Sequence, residues 1–193
     1  MAEALAESGV ELIQYRNKTA ASRQIFDVSN RLSKILEPRG VRFIVNDRPD
    51  IALLTGAGGV HVGQEDLSVE DARRICGQGR WVGVSTHSLE QVAAADRTPA
   101  DYIAFGPIFP TATKQNPDPV VGTELLRQVR TMTAKPLVAI GGITLERAAE
   151  VYRAGADSLA VIGDLMRAVN PGERAREFLA VAASAMPRRE VSG

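Results

Sequence analysis

The fold class predicted for this 193-residue chain is α/β, built on a parallel sheet, and three observations predict it. Helical patterns alternate with short apolar runs, the order that gives parallel strands covered on both faces. A recurring phrase joins them, a helix, a Gly-containing turn and a short apolar strand, as in Pro38-Arg39-Gly40-Val41-Arg42-Phe43-Ile44-Val45. The strand candidates number about seven, against eight in a closed barrel of roughly 250 residues. A compact barrel lacking one unit and an open doubly wound sheet both satisfy that count.

The strands are expected at residues 11–16, 41–46, 59–63, 81–86, 101–108, 136–142 and 158–164. The helices are expected at 21–36, 69–76, 89–95, 123–132, 145–154 and 175–185. In the first strand, side chains alternate between faces, so Ile13 and Tyr15 turn toward the helices. Gln14 and Arg16 then take the inner face, with Lys18 just beyond the strand end. Polar groups there are costly unless they meet a polar ligand, which suggests an anion clamp at the C-terminal end of the sheet. The alternative is that Arg16 and Lys18 are exposed loop cations.

The second strand ends in Asn46-Asp47-Arg48 and the third in Gly63-Gln64-Glu65-Asp66. Asp47 and Asp66 lie 19 residues apart, about one strand-helix unit, so they leave neighbouring strands at equivalent points. Carboxylates beside an anion clamp call for a cation, and Mg2+ uses one or two carboxylates with waters and substrate phosphates. Each Asp could instead cap the following helix, and Glu65 is the rival ligand. The glycines of Gly56-Ala57-Gly58-Gly59 precede a strand, which suits a helix cap and not a dinucleotide fingerprint. His61, between Val60 and Val62, reads as a hydrogen-bonded core histidine. Ser85 and His87 close the fourth strand; His87 could serve as a general base, but a lone histidine beyond a strand is better read as supporting a turn.

The fifth strand runs into Gly106-Pro-Ile-Phe-Pro-Thr111-Ala-Thr113-Lys114, two hydroxyls and an ammonium among turn formers, a set suited to a phosphorylated ligand. The last two strands end in Ala139-Ile-Gly-Gly142-Ile143 and Ala160-Val-Ile162-Gly163-Asp164, where glycine lets backbone amides approach a phosphate.

Composition sets the limits. Hydrophobic residues make up 45% and charged residues 24%, the profile of one globular domain spanning 1–193 with a frayed tail from about 187. Lys plus Arg equals Asp plus Glu at 23 each, so no global field favours nucleic acid or an anionic membrane. The one cysteine, Cys76, excludes an internal disulfide and a multi-thiolate zinc site. With neither a signal-like start nor a long apolar run, a cytoplasmic enzyme is expected.

Taken together, Gln14-Tyr-Arg-Asn-Lys18, Val45-Asn-Asp-Arg48, Gly59-Val-His-Val-Gly-Gln-Glu-Asp66, Gly83-Val-Ser-Thr-His87, the 106–114 segment and the two glycine-bearing strand ends resemble the thiamine-phosphate synthase family. The resemblance implies a TIM-type (β/α) barrel. It implies condensation of 4-amino-2-methyl-5-pyrimidinylmethyl diphosphate with a thiazole phosphate, carboxylated or not, in thiamine biosynthesis. Gln14, Arg16, Lys18, Asn46 and Lys114 would hold the diphosphate, with Arg16, Lys18 and Lys114 catalytic. Asp47 and Asp66 would bind magnesium, and Ser85 would face the pyrimidine. Thr111, Thr113, Gly142, Ile162 and Gly163 would seat the thiazole phosphate. A thiazole tautomerase and an inactive phosphate-binding protein are the alternatives.

Three departures qualify the resemblance. The family's first strand has no counterpart, so a truncated chain or a start further upstream is expected. Its absence leaves two strand edges unpaired, which keeps homo-oligomer formation open. Gly163 stands where the family often has Ser, and Tyr15 and Asn17 replace the commoner Leu and Glu.

Overall fold

The computed structural model describes residues 1–111 and 118–185. Seven parallel strands pair in strict sequence order, β1 (Leu12–Tyr15), β2 (Arg42–Asn46), β3 (Gly59–Val62), β4 (Trp81–Thr86), β5 (Tyr102–Phe105), β6 (Leu137–Ile140) and β7 (Ser158–Ala160). The result is a curled half-barrel, the barrel alternative rather than the doubly wound one, because no strand order reverses. Only β1 and β7 keep an unpaired edge, as the count of strands led us to expect.

Nine helices lie among the described residues. They are α1 (Ala2–Glu7), α2 (Ser22–Leu36), α3 (Pro49–Leu54), α4 (Val69–Cys76), α5 (Leu89–Asp96), α6 (Gly122–Met132), α7 (Leu145–Arg153), α8 (Gly163–Arg167) and α9 (Pro171–Ala185). Short α1, α3 and α8 escape the periodicity reading because one turn and a half carries too little pattern. The strand expected at 158–164 ends at Ala160, since Gly163 and Asp164 open α8. The ladder expected to reach residue 108 stops at Phe105, where Pro107 has no amide to donate to it. The 187–193 tail lies outside the described residues.

Two faces of the sheet bury different chemistry. The outer face is apolar: Val45, Val60, Val82, Ile103 and Leu137 are fully buried against Leu36, Ala72, Val92, Leu126 and Val151 of the helices. Each such side chain contributes about 1.5–3 kcal/mol of transfer free energy. Cys76 belongs to this cluster, and burial pushes its thiol pKa up, so it is an inert packing residue. Ile13, Tyr15, Leu159 and Val161 pack against the same core, as alternation requires.

The inner face mixes apolar residues such as Ile44 and Ala104 with polar groups, and its burial is graded. At its centre His61 is buried, its ring stacked on Tyr102 at 5.5 Å and its Nδ1 2.9 Å from the phenol oxygen. Toward the free edges the same face opens to solvent, with Gln14 and Arg16 exposed on one side and Ser158 and Ala160 on the other. Gly83 makes the centre possible. A Cβ there would sit 2.0 Å from the Tyr102 ring, well inside contact distance.

Two predictions test this packing. Gly83→Ala should cost about 1–3 kcal/mol, read as a lowered urea midpoint, because the Tyr102 ring has to move. Burial holds the His61 imidazole near a pKa of about 4, against 6.5 for an unburied one. The unfolded chain therefore binds the extra proton first, so this contribution is complete above pH 6.5 and is lost as the pH falls toward 4. Urea midpoints of the parent should drop between those values, and His61→Gln should flatten the drop.

Candidate active site

Parallel pairing brings the C-terminal ends of all strands to one rim, and the candidate residues of β1 to β4 meet there. On the inner face, Gln14 Nε2 donates to Asn46 Oδ1 at 2.8 Å, joining β1 to β2. Lys18, just past β1, reaches across both neighbours. Its ammonium lies 2.9 Å from Asp47 Oδ2 and 3.7 Å from Asp66 Oδ2. Arg16 is exposed on the same face.

Local backbone geometry aims both carboxylates. Asp47 has φ +62°, a left-handed conformation that Asp tolerates better than most residues, and this breaks the strand alternation that would turn it outward. Its amide donates to the His61 carbonyl at 2.7 Å, so β3 holds the turn. Asp66 folds back to accept from the Gly63 amide at 2.9 Å. Neither caps a helix. Ser68 caps α4 by accepting from the Asp71 amide, and no side chain caps α3. The capping alternative therefore fails for both. Glu65 is exposed, and lines with Asp47 and Asp66 a cleft of about 540 Å³.

The pair is electrostatically asymmetric. Burial raises the Asp47 carboxyl pKa and the adjacent Asp66 adds to the rise, while Lys18 opposes it. Burial acts on Asp66 too, but its bonds to Asp47, the Gly63 amide and Lys18 outweigh it and hold its pKa below the ordinary value. The described residues contain no cluster of three or more His, Cys, Asp or Glu side chains. Two carboxylates around one cationic nitrogen suit a hard ion that completes its shell with water and phosphate.

Ser85 sits on the inner face at the end of β4, its Oγ 2.8 Å from His61 Nε2. Its carbonyl accepts from Gln64 Nε2 at 2.5 Å. Gln64 and Tyr102 both escaped the sequence reading. The Gly83–Tyr102 pairing, smallest residue beside a large one, was the available signal. His87 supports a turn as expected, with Nδ1 2.5 Å from the Gly106 carbonyl and Nε2 3.4 Å from Asp118.

The other rim segment is built from backbone. Residues 106–108 are buried, and the Ile108 and Phe109 amides donate to the Ile140 and Gly141 carbonyls. Gly141 and Gly142 have φ of +87° and +66°. A Cβ on Gly142 would lie 2.6 Å from the Phe109 carbonyl oxygen and one on Gly141 2.4 Å from the Pro107 side chain, so close packing alone calls for glycine at both positions. Thr111 is half-buried at the end of the segment, while Thr113 and Lys114 lie outside the described residues. Ile162, 50% exposed, and Gly163 form the start of α8.

Comparison with known proteins places the chain in a family. The family model described as thiamine monophosphate synthase matches residues 1–165. The chain is 52% identical over 180 residues to the thiamine-phosphate synthase of Koribacter versatilis, covering 93% of this chain and 84% of the relative. It is 42% identical over 168 residues to that of Shouchella clausii, covering 87% and 80%. The solved thiamine phosphate pyrophosphorylase from Pyrococcus furiosus superposes with a TM-score of 0.88 at 33% identity, over 96% of this chain and 89% of that one. On these grounds the chain belongs to the thiamine monophosphate synthase family.

Proposed function

We propose how this chain carries out the synthase reaction of its family, joining the pyrimidinylmethyl diphosphate to the thiazole phosphate. The observation that carries the reading is one ammonium, Lys18 Nζ, bonded to the carboxylates of two neighbouring strand exits. Those carboxylates already converge on a cation, so Asp47 and Asp66 are the residues that would hold magnesium. When bound, the ion neutralises diphosphate oxygens and makes the diphosphate a better leaving group.

The residues around it bind and orient. Gln14 and Asn46, tied to each other on the inner face, present amides toward the same ligand, and Arg16 and Lys18 supply cationic donors. Lys114 would add a third. The methylene carbon–oxygen bond of the pyrimidine substrate breaks, and the diphosphate departs with the electron pair. The thiazole nitrogen then donates its lone pair to the methylene cation, forming the carbon–nitrogen bond of thiamine phosphate. No protein nucleophile is consumed, in keeping with the inert Cys76 and the structural His61. Charge grows on the leaving group, so donors fixed in place there lower the barrier. Thr111, Gly142, Ile162 and Gly163 would seat the thiazole phosphate at the opposite part of the rim, the resemblance adds Thr113 to that set, and Ser85 would face the pyrimidine.

The decisive experiment incubates the purified chain with both phosphorylated substrates, with and without magnesium, and measures thiamine phosphate. Product that survives chelation would overturn the metal assignment. Asp47→Asn keeps a residue that tolerates a positive φ and removes the charge. It should lower diphosphate release by roughly 100-fold or more while leaving the urea midpoint nearly unchanged. Lys114→Ala should reduce kcat more than it raises KM, since its cation would serve charge that develops only as the bond breaks.

A further inference from the structure

We propose that Tyr102 is a positioning residue that, through His61, fixes the Ser85 hydroxyl as a hydrogen-bond donor to the pyrimidine substrate. The proposal deepens the synthase reading and rests on it for the identity of the ligand. Its basis is a chain of three side chains across three adjacent strands. Tyr102 on β5 lies 2.9 Å from His61 Nδ1, and His61 Nε2 lies 2.8 Å from Ser85 Oγ on β4. All three face the inner side of the sheet, because His61 is registered with Gly83 and Gly83 with Tyr102.

The direction of the protons follows from what each group can do. Tyr102 is only 5% exposed, and burial pushes its phenol pKa up, so its oxygen stays protonated. A buried O–H requires an acceptor. Among the described residues, the acceptor recorded within reach is His61 Nδ1. His61 is itself buried, with a neutral hydroxyl recorded against each ring nitrogen, an environment that suits the neutral ring with one proton. With Nδ1 accepting, that proton is on Nε2, and Nε2 donates to Ser85 Oγ. The serine hydroxyl hydrogen then cannot point back at His61 and turns to the half-open inner face, where Gln14 and Asn46 also lie.

The opposite tautomer would reverse every step. His61 Nδ1–H would donate to the phenol oxygen, the phenol hydrogen would be buried without a partner, and Ser85 would spend its hydrogen on Nε2. The ligand would then meet a serine that can only accept. His61 also stacks on the Tyr102 ring, 29° from parallel, so the two side chains meet through both ring face and hydroxyl. Gly83 gives the phenol its place, as any side chain there would displace the ring.

The test separates the tautomer from the activity. Long-range proton–nitrogen NMR on the uniformly labelled full chain reads the tautomer of His61 directly. Only two histidines are present, so its signals are assignable. An Nε2–H tautomer is expected, and an Nδ1–H tautomer overturns the proposal whether or not the chain turns over. Tyr102→Phe keeps the ring and removes the donor, so His61 should become a mixture of tautomers. The same variant should lose roughly 10-fold in kcat/KM for the pyrimidine diphosphate. In a Ser85→Ala background the Tyr102→Phe change should add nothing, and an undiminished second loss would overturn the relay. If the parent chain makes no thiamine phosphate, the synthase reading fails by itself. The same cycle is then read as the dissociation constant of thiamine phosphate by calorimetry, where an equal effect of Tyr102→Phe with and without Ser85 again rejects the proposal.

Discussion

The site depends on one constraint, that seven strands run parallel and in sequence order. Parallel pairing sends every strand's C-terminal end to the same rim. Groups that are 19 residues apart in the chain, Asp47 and Asp66, therefore come within reach of one ammonium. An antiparallel neighbour would have sent one of the two to the far side. The Lys18 pairing is the local expression of that topology. It has little stabilising value at a half-exposed site, where screening and side-chain entropy offset most of the attraction. Its significance lies in the two negative charges that it reveals in one place.

Polarity inside a barrel-like sheet has to be accounted for. An unpartnered imidazole or phenol in the centre would cost more than a typical core side chain contributes. Here the Tyr102–His61–Ser85 chain satisfies both ring nitrogens and the phenol. The same chain ends at Ser85, near the C-terminal end of β4 toward the rim. Outer-face packing is conventional by contrast, aliphatic and aromatic side chains against helices, and it leaves the inner face free to vary in chemistry.

The 106–111 segment is held against the end of β6 without regular structure of its own. Its amides are held by carbonyls at the end of β6, and Gly141 and Gly142 bring the two backbones close together. The glycines were read as a phosphate seat, and packing against this segment accounts for both of them. Close backbone approach and phosphate binding make the same demand for a missing Cβ, and a sequence cannot separate the two.

Much of the molecule was legible in the chain because the relevant signals are local. Glycine-marked helix ends and apolar runs located all seven strands, and alternation placed Ile13 and Tyr15 outward and Gln14 inward correctly. Spacing alone proposed that Asp47 and Asp66 leave neighbouring strands together. What escaped depended on contacts between distant residues or on very short elements. Three short helices carried too little periodicity. A strand end at Ala160 gave way to α8, and Gln64 and Tyr102 showed no chemistry until their partners stood beside them.

By itself the sequence determined the alternation of elements, the polar side chains that β1 turns inward and the residues at each strand exit. These follow from the intrinsic geometry of a strand and from the preferences of glycine and proline. Tertiary structure decided which exits meet, how Asp47 turns its carboxylate through a left-handed backbone, and which two hydroxyls enclose the ring of His61. Those outcomes are set by distances across strands, and such distances exist only once the chain has closed on itself.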